Sequence, residues 1–257
     1  MQIVILSVCL CTQGIQEPAM FRGGVWLPRL GGTITDGGGA IDFETNIDLR
    51  DQETVPLIEF KIEPIEDVVM GFSFFDFSTS GNGTYRGNDT YGGMVMTAGD
   101  LWSASTDMQS VGFEAAWEVW QPYNASDSAT LTFAPVVGLR WFGVKTNLEN
   151  VTNTQAVEHQ NSWIALQGGL EMNFHWSMKG VTDLVDSIGI NGQFMAGTLM
   201  GDDGGSMWGV QAGLTVSFTE SVSGFFGYRL QEMNGEDGAY TFDAGLQGLF
   251  IGGEIRF

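Results

Sequence analysis

The sequence predicts an all-β fold, a single antiparallel up-and-down β-barrel that crosses a membrane with its strands. Three observations predict this fold. Apolar and polar residues alternate from about residue 54 to the end, no apolar run is long enough for a membrane-spanning helix, and the composition combines few charges with many glycines and aromatic residues.

The alternation is clearest in residues 207–218, where every second side chain is apolar and the others are small or polar. A short turn at 219–221 and a second alternating segment at 222–231 follow, which together predict a β-hairpin with one apolar side. The apolar face of the first segment consists of Trp208, Val210, Ala212, Leu214, Val216 and Phe218. The same period of two recurs upstream at 58–63, 111–119, 130–141, 164–176 and 188–197.

The polar faces of these segments favour a membrane barrel over a soluble β-sandwich. They carry mainly Gly, Ser, Thr and Gln, whereas the water-facing side of a sandwich is normally rich in Lys and Glu. Several segments exceed the 5–6 residues usual in globular strands and reach the roughly 9–11 residues that a tilted membrane strand needs. A soluble secreted β-sandwich that acts as a binding module remains the alternative fold.

Composition and charge exclude some classes of function. The chain has 31 Asp and Glu against 10 Lys and Arg, a net charge of −21, and this balance opposes binding to nucleic acid. Only 16% of residues are charged, against about 25% in typical globular domains. The 37 glycines, 18 phenylalanines and 8 tryptophans suit a chain that distributes its hydrophobicity by alternation instead of in long runs.

The first residues form a separate segment. The apolar stretch from Ile3 to Cys11 predicts that residues 1–20 are the remnant of a signal peptide. Both cysteines, Cys9 and Cys11, lie in this segment, so a chain that begins after it has no disulfide and no thiol chemistry. Residues 21–257 are then a single barrel domain.

The end of the chain carries the resemblance to a known superfamily. The alternation continues to the last residue, which is aromatic, through Leu249, Ile251, Gly253, Ile255 and Phe257. This segment resembles the terminal strand of bacterial outer-membrane proteins, including small porin-like and OmpA-like barrels, and the ending 252–257 is similar to their G-x-x-x-R-F close. The resemblance implies a location in the bacterial outer membrane, contact with lipid and lipopolysaccharide, and recognition of the five residues by the barrel-assembly machinery.

The number of strands follows from the same resemblance, because single-chain barrels of this type have an even number of strands and periplasmic termini. Ten candidate strands lie between residues 54 and 257, and two weaker ones at 22–35 and 41–49. We expect twelve strands, with ten as the alternative, so that 21–53 forms either the first hairpin or a plug. This count places the long connection 80–93 on the periplasmic side.

The charged side chains on the lumen-facing parity are the predicted site residues. They either line a path for ions, which would make the protein a small passive pore, or pair across a narrow lumen, as in a structural envelope protein. The set is Glu59, Lys61, Glu63, Glu114, Glu118, Arg140, Glu171, His175, Arg229, Glu254 and Arg256.

The sequence predicts a protein without enzymatic activity, metal or cofactor, and one alternative is a barrel enzyme that acts on lipid. The stretch His175-Trp176-Ser177 resembles the His-x-Ser arrangement of outer-membrane lipid A deacylases, but Met178 replaces the Asn that follows. Glu171 is a candidate for the orienting acid only because it lies on the same face. The two histidines do not form a cluster that would hold a transition metal. The loop pair Asp202-Asp203 is either solvated or holds a divalent cation.

Overall fold

The computed structural model describes residues 19–49, 51–125, 128–182, 184–201 and 203–257, with the backbone alone at 123–125. The predicted signal remnant, with Cys9 and Cys11, lies outside these ranges apart from residues 19 and 20. No helix in the described ranges is long and apolar enough to cross a membrane.

Ten strands of the described chain form the wall of a barrel. With strands numbered in chain order, they are β1 (Ala19–Asp36), β3 (Val55–Ile65), β4 (Val68–Thr84), β7 (Leu101–Trp117), β9 (Ala129–Asn150), β10 (Gln155–Ser177), β11 (Ser187–Met200), β12 (Gly204–Ser217), β13 (Val222–Asp237) and β14 (Tyr240–Arg256). Four shorter strands are β2 (Gly39–Asp42), β5 (Asp89–Tyr91), β6 (Met94–Met96) and β8 (Trp120–Ala125).

The wall is closed and antiparallel throughout. Each wall strand pairs with the next one along the chain, and β14 pairs with β1 from Arg256↔Met20 to Tyr240↔Asp36, which removes the free edge. A closed barrel satisfies every strand's backbone hydrogen bonds internally, as a membrane requires. The predicted all-β up-and-down barrel is confirmed, with ten wall strands, the smaller of the two expected numbers.

Residues 41–49 explain why the wall has ten strands instead of twelve. The candidate at 22–35 is part of β1, but after β2 the chain turns, with the Asp42 carboxylate accepting the backbone N–H groups of Glu44 and Thr45. The apolar residues of this segment then point into the barrel, where they are buried: Ile41, Phe43, Ile47 and Leu49. Their alternation reflects burial inside the barrel, and of the two expected arrangements the structure has the plug.

The short strand β8 is also not an additional wall strand. β7 pairs with β9 as far as Ala116↔Val136, and β8 pairs with the next part of β9 after a register shift, from Trp120↔Phe133 to Ala125↔Ala129. β8 therefore continues the line of β7 along the wall, separated from it by an irregularity at residues 118–119.

The two ends of the barrel differ in their connections. The end that carries Phe257, the C-terminal rim, has tight turns such as those at 66–67 and 218–221. The two longest connections, 37–54 and 85–100, lie at the opposite end. The expectation that the long loop near 80–93 lies beside the C-terminus is therefore wrong. Nine wall strands follow residue 54, where ten were expected, and each strand takes the chain from one end of the barrel to the other. A strand count that is wrong by one therefore assigns every earlier loop to the wrong end.

About halfway along the wall, the apolar side chains change from the outer face to the inner face. On β9, Leu139 and Trp141 point outward and Arg140 inward, but above them Phe142 points inward and Lys145 outward. We call the part towards the C-terminal rim, up to the level of the paired residues Trp141 and Ile164, the lower half, and the rest the upper half. The lower half is apolar outside and polar inside, and the upper half is the reverse.

The apolar band around the lower half has the height of a membrane. On β10 the exposed apolar side chains run from Ile164 to Trp176, a span of about 30 Å at ~3.3 Å per residue and ~40° tilt, which matches the hydrocarbon core of a bilayer. Exposed Trp141 and Trp208 lie near its upper limit and Trp117 near its lower limit, as in the aromatic belts of membrane proteins.

Candidate functional site

The interior of the barrel holds the charged residues that the sequence singles out, and its two halves differ. In the upper half the interior is filled with apolar side chains, which we call the plug. Five of its large aromatic wall residues are each at most 1% exposed: Trp26, Phe75, Phe77, Phe142 and Phe242. Trp26 packs edge-on against Phe75 with ring centroids 5.3 Å apart. This half of the interior is packed like the core of a soluble protein.

Connections at the upper end complete the plug. The hairpin formed by β5 and β6 buries Tyr91, Met94 and Met96, beside the residues that 41–49 contributes. Gly39 of β2 lies so close to this hairpin that a Cβ atom there would be 1.3 Å from the Thr90 carbonyl oxygen, so only glycine fits. The two connections therefore fold inward as one packed unit.

A cluster of polar side chains lies at the edge of the plug. His159 Nε2 lies 3.0 Å from the Asp36 carboxylate, and its ring stacks on Tyr240 at a centroid distance of 4.2 Å. The Tyr240 and Thr146 hydroxyls are 3.2 Å apart, and Tyr91 meets the His159 ring edge-on. Burial raises the pKa of both Tyr91 and Tyr240 above its usual value, so both phenols are neutral in this apolar surrounding.

In the lower half the interior contains a cavity of about 490 Å³. It extends from the C-terminal rim, where Ala19 and Arg256 border it, to Met195 and Met207 below the plug. Between these limits most of the wall residues that border it carry amide, hydroxyl or charged side chains. This cavity is the lumen that the alternation predicts, but it occupies only part of the barrel.

The structure brings the eleven predicted lumen residues to this cavity. Ten of them border it: Glu59, Lys61, Glu63, Glu114, Glu118, Arg140, Glu171, His175, Arg229 and Arg256. Glu254 is only 1% exposed and lies behind the cavity surface, between Arg22 and Arg256. Arg22 also borders the cavity but is not among the predicted residues. Its position between Phe21 and Gly23 in a candidate strand is the signal that could have identified it.

The first charge cluster joins β1, β3, β13 and β14. Arg22 Nε donates to the Glu254 carboxylate at 2.6 Å, and its guanidinium lies 3.7 Å from Glu59. Arg229 donates to Glu59 from the other side, and Arg256 donates to Glu254 at 2.7 Å. Each of the two carboxylates therefore faces two arginines, and the charges compensate one another inside the wall.

The second cluster is centred on Arg140. Its guanidinium donates to the Glu114 carboxylate at 3.0 Å and to the hydroxyls of Ser73 and Ser110 at 2.9 and 3.2 Å. A Cβ atom at Gly112 would lie 2.6 Å from this guanidinium, so glycine makes the room that it occupies. The partners come from β4 and β7, so the cluster connects these two strands to β9.

A third, smaller cluster crosses the cavity. Lys61 of β3 lies 3.4 Å from the Glu171 carboxylate of β10, and Asn173 donates to the same carboxylate at 2.9 Å. Strands β3 and β10 are not neighbours in the wall, so this ion pair spans the lumen. This ion pair is the arrangement expected if the lumen charges pair across a narrow lumen.

Two residues of the enzyme alternative have other partners. His175 borders the mouth of the cavity, but Glu171, the acid expected to orient it, is bound by Lys61 and Asn173. The Ser177 hydroxyl accepts the backbone N–H of Lys179 at the rim.

The loop carboxylates also do not form a metal site in the described residues. Asp203 accepts the backbone N–H of Gly238, and its neighbour Asp202 lies outside the described ranges. No group of three or more His, Cys, Asp or Glu side chains in those ranges is placed to hold a metal ion.

The predicted assembly signal forms the outer face of β14. Its side chains lie on the lipid-facing surface, with Phe257 64% exposed at the rim. The strand pairs with β13 on one side and β1 on the other, so it is the seam at which the barrel closes.

The closed wall, the apolar band and the polar lumen together define a membrane-spanning β-barrel of the outer-membrane type. No family model and no curated protein matches the sequence.

Several solved structures are similar in fold. The attachment invasion locus protein Ail of Yersinia pestis, in complex with the heparin analogue sucrose octasulfate, is 11% identical with a TM-score of 0.39, over 95% of this chain and 100% of that one. The outer membrane protease OmpT of Escherichia coli is 8% identical with a TM-score of 0.45, over 95% and 99%. The translocator domain of NalP from Neisseria meningitidis is 10% identical with a TM-score of 0.40, over 95% and 90%. Similarities at these identities bear on the fold alone.

Proposed function

We propose that the protein is a closed, non-enzymatic barrel of the bacterial outer membrane that acts as a structural envelope protein and not as a passive pore. The observation that carries this proposal is the plug, which fills the upper half of the interior with buried apolar side chains such as Phe77 and Phe142. Ions cross a barrel through a hydrated path, and a packed apolar region opposes hydration.

The charges of the lower half support the same proposal. Arg22, Arg140 and Arg229 each face a carboxylate inside the wall. Charges that are bound to one another across and along the wall hold strands together, and they leave little field to attract ions from outside. Lipid and lipopolysaccharide around the apolar band are the expected surroundings, and the barrel-assembly machinery is the expected reader of β14.

Single-channel recording in planar bilayers tests the proposal. Refolded protein should insert without stable conductance steps. A variant in which residues 86–99 are replaced by Asn-Gly provides the comparison, because Tyr85 N already donates to the Asp100 carbonyl at 2.8 Å and a two-residue turn can join such a pair. The variant lacks Tyr91, Met94 and Met96, so we expect it to show transient openings. Stable steps from the unaltered protein would contradict a closed barrel.

A further inference from the structure

Leu184 and Val181 are the most exposed large apolar side chains of the described chain, at 80% and 70%. Both lie at the C-terminal rim, in the connection 178–186 between β10 and β11. Single exposed apolar residues are normal on a protein surface, but two of them three residues apart in one connection form a small apolar patch. This patch is therefore a candidate surface for contact with a partner.

Hydrogen bonds within the connection hold the two residues in a defined turn. The backbone N–H groups of Val181 and Thr182 donate to the Met178 carbonyl at 2.9 and 3.3 Å. The backbone N–H of Leu184 donates to the Thr182 hydroxyl at 3.1 Å. Because these bonds satisfy the backbone groups of the turn, the exposure of its apolar side chains is a property of the folded chain.

The connection is attached to the next turn of the same rim and not to the lumen. Lys179 Nζ lies 2.9 Å from the Glu220 carboxylate and 3.5 Å from the Asp186 carboxylate. The backbone N–H of Asp186 donates to the Ser217 carbonyl at 2.8 Å. None of the described residues of the connection, 178–182 and 184–186, borders the lower cavity. The apolar patch therefore belongs to the rim of the wall.

The patch continues the lipid-facing surface of β10 and β12. Trp176 near the end of β10 and Phe218 directly after β12 are 47% and 55% exposed and are the lowest apolar residues on this part of the outer face. A strand tilted by ~40° advances about 2.5 Å along the barrel axis per residue, so Met178 lies about 5 Å below Trp176. The headgroup layer beside the hydrocarbon core is about 5–8 Å thick. Val181 and Leu184 therefore lie at the depth of the lipid headgroups.

We propose that the connection 178–186 binds the headgroup layer of the bilayer leaflet at the C-terminal rim, with Val181 and Leu184 inserted between the lipid headgroups. Continuity with the lipid-facing surface indicates this partner, and insertion removes two apolar side chains from water. The contact fixes the depth of the barrel in the membrane on the side of β10 and β12. It goes beyond a structural role for the closed wall, and its failure would leave the bilayer recording unaffected.

Fluorescence quenching by lipid tests the contact. The fluorophore NBD is attached to Leu184→Cys in a background with Cys9 and Cys11 replaced by Ser, and the protein is refolded into phosphatidylcholine vesicles. Lipids that are spin-labelled near the headgroup should quench it severalfold more strongly than NBD on Glu66→Cys. Glu66 is the matched control, because it is exposed at the same rim but lies beside Asp67 in a charged turn.

A second comparison tests whether the apolar side chains make the contact. With NBD on Val181→Cys, the added substitution Leu184→Ser should reduce quenching severalfold, because it removes an apolar group from the patch. Val151→Ser is the control, since Val151 is 42% exposed at the opposite end of the barrel and should leave quenching unchanged. Equal quenching at positions 184 and 66 would overturn the proposal, and so would a water-like emission of NBD at position 184 or unchanged quenching after Leu184→Ser.

Discussion

Arg140 lies where the outer side of the wall meets lipid, and its guanidinium is held inside by Glu114, Ser73 and Ser110. Without the arginine, the largely buried Glu114 carboxylate would keep only a neutral partner, Gln193, which compensates its charge less well than a cation does. Lys145, five residues further along the same strand, forms an ion pair with Glu158 that is about half exposed on both sides.

The first prediction compares these two cations on β9. Arg140→Met should lower the free energy of unfolding by about 3 kcal/mol, because the largely buried Glu114 carboxylate loses its cation and keeps only the hydrogen bond from Gln193. Lys145→Met should cost less than about 1 kcal/mol, since water solvates Glu158 when the partner is removed. Urea unfolding in lipid vesicles measures both. The double variant Arg140→Met/Glu114→Met should recover most of the loss, and equal losses in the two single variants would contradict the role given to the buried pair.

At the scale of the element, the second prediction concerns the contact between β2 and the β5–β6 hairpin. Gly39→Ala places a Cβ atom on the Thr90 carbonyl, so the hairpin should separate from β2. Arg86, in the connection that carries the hairpin, is largely exposed and offers a site for trypsin. Cleavage after Arg86 should become at least several-fold faster in the variant, as local opening becomes easier.

Gly168→Ala serves as the control for that experiment, because the nearest atom to its Cβ would be the Val136 carbonyl at 3.8 Å, an ordinary contact. Its cleavage rate at Arg86 should equal that of the unaltered protein. If Gly39→Ala were cut no faster than this control, the hairpin would be held mainly by its buried side chains, and the contact with β2 would be incidental.

The strands show which features of the fold a sequence can reveal. A period of two shows which residues share a face, and it predicted Glu114 and Arg140 on one side and Phe113 and Leu139 on the other. It does not show which face is inside, because a strand in lipid and a strand around a dry core alternate in the same way. The reversal along β7 and β9 was therefore missed, and with it the apolar side chains that the wall strands contribute to the interior of the upper half.

The same limit applies to the candidate site. The charged lumen residues could be picked by parity wherever the strand was recognised, and Arg22 was overlooked because its strand was a weak candidate. The partner of each charge could not be found in this way, since a pair such as Lys61 and Glu171 joins strands that are distant in the sequence. Residues 41–49 looked like a strand because burial inside the barrel gives them the same alternation.

At the scale of the whole molecule, the reversal of the alternation divides the barrel by solvent. The lower half presents Phe113, Leu139 and Leu166 to lipid, and the upper half presents Asp107 and Lys145 to water. The upper half therefore stands above the membrane as a β-barrel with an apolar core, closed by the inward-folded connections. Such a barrel needs no lipid around its upper wall, which is why the strands can exceed the bilayer thickness.

Labelling with a membrane-impermeant maleimide tests this division on a single strand. In a background with Cys9 and Cys11 replaced by Ser, the chain has no other cysteine. Asp107→Cys and Phe113→Cys both place the thiol on the outer face of β7, six residues apart. In protein refolded into vesicles, the first should be labelled rapidly and the second only after the vesicles are dissolved in detergent, because lipid covers the lower half. Rapid labelling at both positions would place the whole wall in water and would contradict a membrane-spanning lower half.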